Sequence, residues 1–346
     1  MAHTLTNHTN FQLAVCTSES ILPINVDAST AIHASLSTLS IMFFVSAPIT
    51  FMVNLIVIET IWRTPSLGKK LYYKGLLSLS VTDLLSASVS APMAGYCYWS
   101  IVSSDLQAEE LCKIWKVMIA FAYVLTGLSL NGTVCIAIER YFKICHATKY
   151  QDIVTNKRVL SVILMLYGVT VAWATAFVSK DQTRILGYLF ITGLIACILG
   201  AAFMYHRIFA TIRISQARVN CRSPEDSYRA REQRLAKTFI LIIAALVVCF
   251  MPHCVFRILS MKRYREEWFH FTFGYTFYFG FFNSFLNPCL YIWQDSAFKK
   301  CVFSRISIYT RKSLWDNRDK QRIDKILSII DQIDLLCTES YSLSMT

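Results

Sequence analysis

Residues 117–141 read VMIAFAYVLTGLSLNGTVCIAIERY, twenty-two residues without a charge closed by the triplet Glu139-Arg140-Tyr141. At about 1.5 Å rise per residue such a run crosses roughly 30 Å of hydrocarbon. A charged pair at its end marks the depth at which water returns. Six further stretches have the same character: Ile32 to Ile61, Gly75 to Val102, Val159 to Ser179, Ile185 to Tyr205, Thr238 to Phe256 and Trp268 to Trp293. Asp83 and Glu59 are the charges that interrupt them. The whole chain agrees, with 55% hydrophobic and 16% charged residues in 346, where a soluble domain averages about 25% charged. Buried core helices of a large soluble protein would carry polar faces. The expected fold is therefore an all-α membrane protein with seven transmembrane helices.

The net charge of +12 orients the bundle. Lys and Arg gather in alternate gaps: Arg63 to Lys74, Arg140 to Arg158, Arg207 to Lys237 and Lys299 to Arg305 hold twenty. The opposite side holds eight, namely Lys113, Lys116, Lys180, Arg184, Arg257, Lys262, Arg263 and Arg265. The side richer in basic residues faces the cytoplasm, so the N-terminus is expected outside, at the plasma membrane. The sequon Asn7-His8-Thr9 makes Asn7 the expected glycosylation site on that side. No signal peptide is legible before the first span, which is expected to insert as its own signal. The domain reading is 1–31 extracellular, 32–306 membrane bundle with a juxtamembrane helix, and 307–346 cytoplasmic tail. Of twelve cysteines, Cys16, Cys97 and Cys112 face the oxidising side and are the disulfide candidates. Their pairing stays open.

Polar groups inside a bilayer are costly and mark function. Asp83 lies mid-span with Asn54 available from the first helix. The last span carries Asn283, Ser284 and Asn287-Pro288-Cys289-Leu290-Tyr291, and the sixth carries Phe250-Met251-Pro252, each with a helix-bending proline. Taken singly, each feature occurs in many membrane helices.

Taken in order, these residues resemble the rhodopsin-like (class A) G-protein-coupled receptors. Asn54 in the first span, Leu77 to Leu84 in the second, Glu139-Arg140-Tyr141, Pro252, and Asn287 to Tyr291 with Phe298 beyond carry the likeness, over about residues 34 to 306. The resemblance implies an activation switch made of Glu139, Arg140, Tyr141, Glu232, Tyr205, Pro252, Asn287, Pro288 and Tyr291. Within it, Arg140 is held by Glu139 and Glu232 while the receptor rests. The resemblance also implies an allosteric sodium ion, as the one metal expected and with no other cofactor, at Asp83 with Asn54, Ser129, Asn283 and Asn287. Oxygen donors are what a hard cation takes.

Several positions depart from the family pattern. The loop near Lys180 to Arg184 has no Cys, so the usual bridge to the third helix is absent. Cys112 lies further from Arg140 than the pattern expects, with Trp115 in its place. Tyr167 stands where the fourth helix carries Trp, Cys197 where the fifth carries Pro, and Phe250 where the sixth carries Trp. The short Cys-free loop and the fifth helix without its Pro are similar to the melanocortin, lysophospholipid, cannabinoid and adenosine group; Ile144-Cys145-His146 with Lys149-Tyr150 is similar to melatonin receptors, but those have the loop Cys missing here, so the first group is the nearer expectation.

The expected ligand pocket is Ala122, Tyr123, Thr126, Phe250, His253, Arg257, Phe277 and Phe281. Ala122 stands where amine receptors carry Asp, and Phe281 where opsins carry Lys, so neither a biogenic amine nor retinal is expected. A small apolar or lipid-like ligand fits, with Arg257 and the outer bases available to an anionic head group. Snorkelling at the helix end explains those bases equally well.

The expected partners are a heterotrimeric G protein, an arrestin and a receptor kinase, the small extracellular ligand and the bilayer, with no nucleic acid. After the last span, Asp295 to Arg305 reads as an amphipathic helix on the inner leaflet, with Cys301 the palmitoylation candidate. Ile323, Ile326, Leu327, Ile330 and Ile333 suggest a second amphipathic stretch. A constitutively active or peptide-responsive receptor is the alternative within the class, because Phe250 replaces the sixth-helix Trp. Outside it stands a transporter, which would show paired intramembrane charges or an internal repeat. No His-Glu-x-x-His or similar constellation supports an enzyme.

Overall fold

The computed structural model describes residues 15–16, 21–22, 30–103, 106–179, 183–217, 241, 244–259 and 267–314. The chain is an all-α bundle of seven membrane helices. The first is Thr30–Arg63, with Pro48 inside it. The second runs Leu71–Leu85, passes through a π turn at Ser86–Ser90 and continues as Ala91–Ser103. The third is Ala108–Cys145, the fourth Asn156–Ser179, the fifth Thr183–Ala217. The sixth is described over Ala244–Leu259 and the seventh over Glu267–Gln294. By length and composition Thr30–Arg63, Leu71–Ser103, Glu109–Cys145 and Ile191–Thr211 can each cross a membrane. The seventh is long enough too, but its apolar surface is aromatic and interrupted by Asn283, Ser284 and Asn287, which lowers its hydropathy without shortening it.

Local sequence explains the main irregularities. Pro92 has no N–H to give Ser88, four residues back, and its ring crowds that carbonyl, so the second helix widens there into the π turn. The third helix opens with Glu109 and Glu110 and closes with Lys143, charges that suit the two ends of the helix dipole. The juxtamembrane helix, Ser296–Leu314, passes the expected boundary at 306 because no Gly or Pro interrupts it. Asp295 starts it by accepting the Phe298 backbone N–H at 3.1 Å, an N-cap bond. The same carboxylate accepts the Tyr73 hydroxyl at 2.6 Å.

Packing centres on the third helix, which touches the second, fourth and fifth, while the first packs on the second and seventh. Close approach is built from glycine. A Cβ on Gly75 would lie 2.6 Å from Ile136 Cγ1, and one on Gly274 2.5 Å from Leu39 Cδ1 and 2.8 Å from the Tyr98 hydroxyl. One apolar cluster fills the outer half around Phe43, Tyr98, Met118 and Phe273. Another fills the inner half around Tyr72, Tyr73, Tyr205, Tyr291 and Phe298. Outside the bundle a two-residue antiparallel pair, Val15–Cys16 with Ile21–Leu22, lies against the third helix. It is a minor exception to the all-helical expectation.

Candidate functional site

Three polar or open layers lie along the axis of the bundle. The innermost surrounds Arg140, the largest of the fully buried side chains at 1% exposed. Its Nε lies 3.0 Å from Glu139 Oε2, and its guanidinium sits 4.3 Å from the centre of the Tyr72 ring. Glu139 Oε1 accepts the Tyr150 hydroxyl at 2.8 Å, from the short helix Tyr150–Ile153 that follows the third helix. A buried ion pair holds well only when its remaining lone pairs are satisfied, and Tyr150 supplies one of those bonds. Tyr72 offers the guanidinium a π face, an attraction that strengthens when both partners leave water. Tyr205 and Tyr291 are buried in the same cluster, and the Tyr291 hydroxyl has no hydrogen-bond partner among the described residues. Tyr141 lies 3.4 Å from His146 Nε2. Glu232, with the rest of residues 218–240, lies outside the described residues.

The middle layer gathers on Asp83, which is 1% exposed. Its Oδ1 accepts Ser129 at 3.2 Å and Ser284 at 2.8 Å, and its Oδ2 accepts Asn287 at 3.0 Å. Asn54 donates instead to the backbone carbonyls of Thr50 and Ser284. Asn283, expected beside the carboxylate, makes no bond to it, and its neighbour Ser284 does. One helical position separates them, about 100° around the axis. The oxygens Asn54 Oδ1, Asn283 Oδ1, Asn287 Oδ1 and Ser80 Oγ are buried without partners among the described residues. A carboxylate with serine hydroxyls and orphaned amide oxygens is a donor set that fits a hard cation with its water.

The outer layer is a narrow cavity between the second, third, sixth and seventh helices. Seven of the eight expected pocket residues line it: Ala122, Tyr123, Thr126, Phe250, His253, Phe277 and Phe281. Arg257 does not; its guanidinium is 6.0 Å from the centre of the Phe273 ring. The lining adds Phe43, Ser86, Ser90, Ala91, Thr276 and Gly280 to the expected set. His253 Nδ1 and the Thr276 hydroxyl are 3.3 Å apart, and a Cβ on Gly280 would come within 3.1 Å of the Phe250 ring. Pro252 follows Phe250 and is exposed on the lipid side. The outer bases are partly engaged: at the start of the third helix Lys113 Nζ lies 2.7 Å from Glu109 Oε1.

The family departures have local answers. Tyr167, in the place of Trp, puts its hydroxyl 2.7 Å from Ser78 and so joins the second and fourth helices. Cys112 is disulfide-bonded and Cys97 is a free, buried thiol. Cys301 is 5% exposed and packs with Phe298 and Val302 in the inner cluster, so an acyl chain there requires its face of the helix to turn outward. Asn7 and the stretch Ile323 to Ile333 lie outside the described residues.

The sequence pattern of the 7 transmembrane receptor (rhodopsin family) matches residues 53–291. Melatonin receptor type 1A of Mus musculus is 24% identical, covering 84% of this chain and 86% of its own length. Melanocortin receptor 3 of Rattus norvegicus is 23% identical over 61% of this chain and 66% of its own. The 5-hydroxytryptamine receptor 1B of Mus musculus is 21% identical over 74% and 83%.

Proposed function

The chain belongs to the rhodopsin family of seven-transmembrane receptors, and from that membership we propose that it turns the binding of a small, mostly apolar extracellular ligand into activation of a heterotrimeric G protein. The observation that carries this reading is the alignment of the three layers along one bundle. The cavity lies in the outer half, the Asp83 cluster below it, and the buried Arg140 at the inner end. A ligand that prefers one arrangement of the cavity shifts the whole two-state equilibrium by its differential affinity.

In the resting state Arg140 stays with Glu139 and Tyr72; Glu232 is its further expected partner. Activation swings the sixth helix at Pro252 and frees Arg140 for the G protein, with Tyr205 and Tyr291 closing behind it. A sodium ion held by Asp83, Ser129, Ser284 and the nearby amide oxygens favours rest. Arrestin and a receptor kinase act on the same cytoplasmic face. The receptor sits in the plasma membrane with its N-terminus outside, glycosylated at Asn7, and Cys16 is the outer cysteine left to pair with Cys112.

For the ligand, the relatives' names cover melatonin, melanocortin and 5-hydroxytryptamine. Ala122 leaves an amine without a counter-ion. The aromatic lining suits an uncharged ring system better than a peptide, which needs a wider mouth. The test is guanine-nucleotide exchange by purified G proteins on the receptor in lipid discs, with Arg140→Ala beside it. Exchange that falls to the receptor-free rate in the variant supports the reading; exchange that survives in full refutes it.

A further inference from the structure

The π turn of the second helix has a consequence for the cavity. Hydroxyls in membrane helices ordinarily bond back to a carbonyl three or four residues earlier. Ser46, Thr60, Thr82 and Ser88 do so here. Ser90 does not. It is 4% exposed, its Oγ has no hydrogen-bond partner among the described residues, and it lines the cavity. Ser86, at the start of the same turn, lines it too, whereas Ser88 is exposed on the outer surface. An unpartnered buried hydroxyl is retained against a desolvation cost, and a bound polar group would remove that cost.

We propose that Ser90 is a hydrogen-bonding subsite presented by the π turn, and that it takes the hydroxyl or carbonyl group of an uncharged ligand whose ring lies among Phe43, Phe277 and Phe281. The proposal rests on the reading of the cavity as the ligand site. Its chemical class follows from the lining. Among the described residues no Asp, Glu, Lys or Arg borders the cavity, so an ionised ligand would lose its hydration without gaining a counter-charge from them. On the sixth and seventh helices the hydrogen-bonded pair His253 and Thr276 offers the ligand a second polar anchor. A ligand with a polar group at each of two edges and an apolar middle matches both.

The experiment needs no known ligand. Ser90→Cys, Ser86→Cys and Ser88→Cys receptors in lipid discs are treated with methyl methanethiosulfonate, an uncharged thiol reagent, and with its trimethylammonium-ethyl and sulfonatoethyl relatives. Labelling at each position is read by mass spectrometry of the peptide. Methanethiosulfonates attack thiolates, which form only where water reaches. Positions 90 and 86 are expected to label at least about ten-fold faster than lipid-facing 88 with the uncharged reagent, and position 90 about ten-fold slower with either charged one. Labelling at 90 and 86 no faster than at 88 overturns the subsite. Equal rates with charged and uncharged reagents overturn the ligand class. Two positions on one turn guard against a single variant that fails to fold. The readout is separate from signalling, so failed nucleotide exchange with this labelling pattern intact counts against the receptor mechanism alone.

Discussion

Replacing Tyr72 should raise signalling in the absence of ligand. Arg140 and Tyr72 are 1% and 3% exposed, and the guanidinium stands 4.3 Å from the ring centre. A cation–π contact is worth about 0.5–1 kcal/mol at a surface and about 2 kcal/mol when desolvated, so this one belongs near the upper figure. If the contact is lost when Arg140 moves to the G protein, its removal shifts the resting equilibrium by roughly 1–2 kcal/mol, or about five- to thirty-fold. Tyr72→Ala would confuse the result, because emptying a buried aromatic site costs about 3–5 kcal/mol of stability. The informative pair is Tyr72→Leu, which keeps most of the volume and loses the π face, and Tyr72→Phe, which keeps the ring. Basal guanine-nucleotide exchange per folded receptor should rise in the first and stay within about two-fold of wild type in the second. Equal basal rates in Tyr72→Leu and wild type would show that the ring does not hold Arg140 at rest.

Three further outcomes follow from the same geometry. If sodium binds at Asp83, the melting temperature of wild type is higher in sodium than in potassium, by the equivalent of about 1.4 kcal/mol at ten times Kd; Asp83→Asn should melt alike in both salts, and a retained difference places the ion elsewhere. Gly274→Ala forces a methyl group against Leu39 and Tyr98 and should cost about 1–3 kcal/mol, seen as a lower melting temperature. Gly200→Ala meets nothing within 4 Å and should be neutral or stabilising, so equal loss in both would refute the packing argument. Asp295→Ala removes both the Tyr73 bond and the cap on Phe298, worth about 0.5–2 kcal/mol for the cap alone. Hydrogen exchange over residues 296–306 should quicken, and unchanged exchange would show that the cap is dispensable.

Much of this was legible in the sequence because membrane solvation is unforgiving. A carboxylate in hydrocarbon must have partners, so Asp83 announced a cluster and the polar residues of the third and seventh spans supplied it. The choice of Ser284 over Asn283 was not legible. It depends on the rotation of the seventh helix above Pro288, and both side chains are small and polar. Tyr72 gave no signal, since a tyrosine near a helix end reads equally as an interfacial anchor. The exchange of Trp for Tyr167 looked like a loss, yet its hydroxyl meets Ser78 across two helices. The π turn is hidden for a similar reason: Ser-Ala-Ser-Val-Ser favours no π geometry, and the cause lies in Pro92, just beyond it. The packing of Cys301 against Phe298 and Val302 was not legible either, because a thiol on an amphipathic helix carries no mark of the face it takes.

The proposed mechanism turns on the release of Arg140 by movement of the sixth helix. Spin labels at Lys143, near the end of the third helix, and at Ala244, where the described part of the sixth begins, measure this as a distance. A longer-distance population is expected when nucleotide-free G protein binds, absent in Arg140→Ala. An unchanged distance distribution in a receptor that nonetheless drives nucleotide exchange would contradict it.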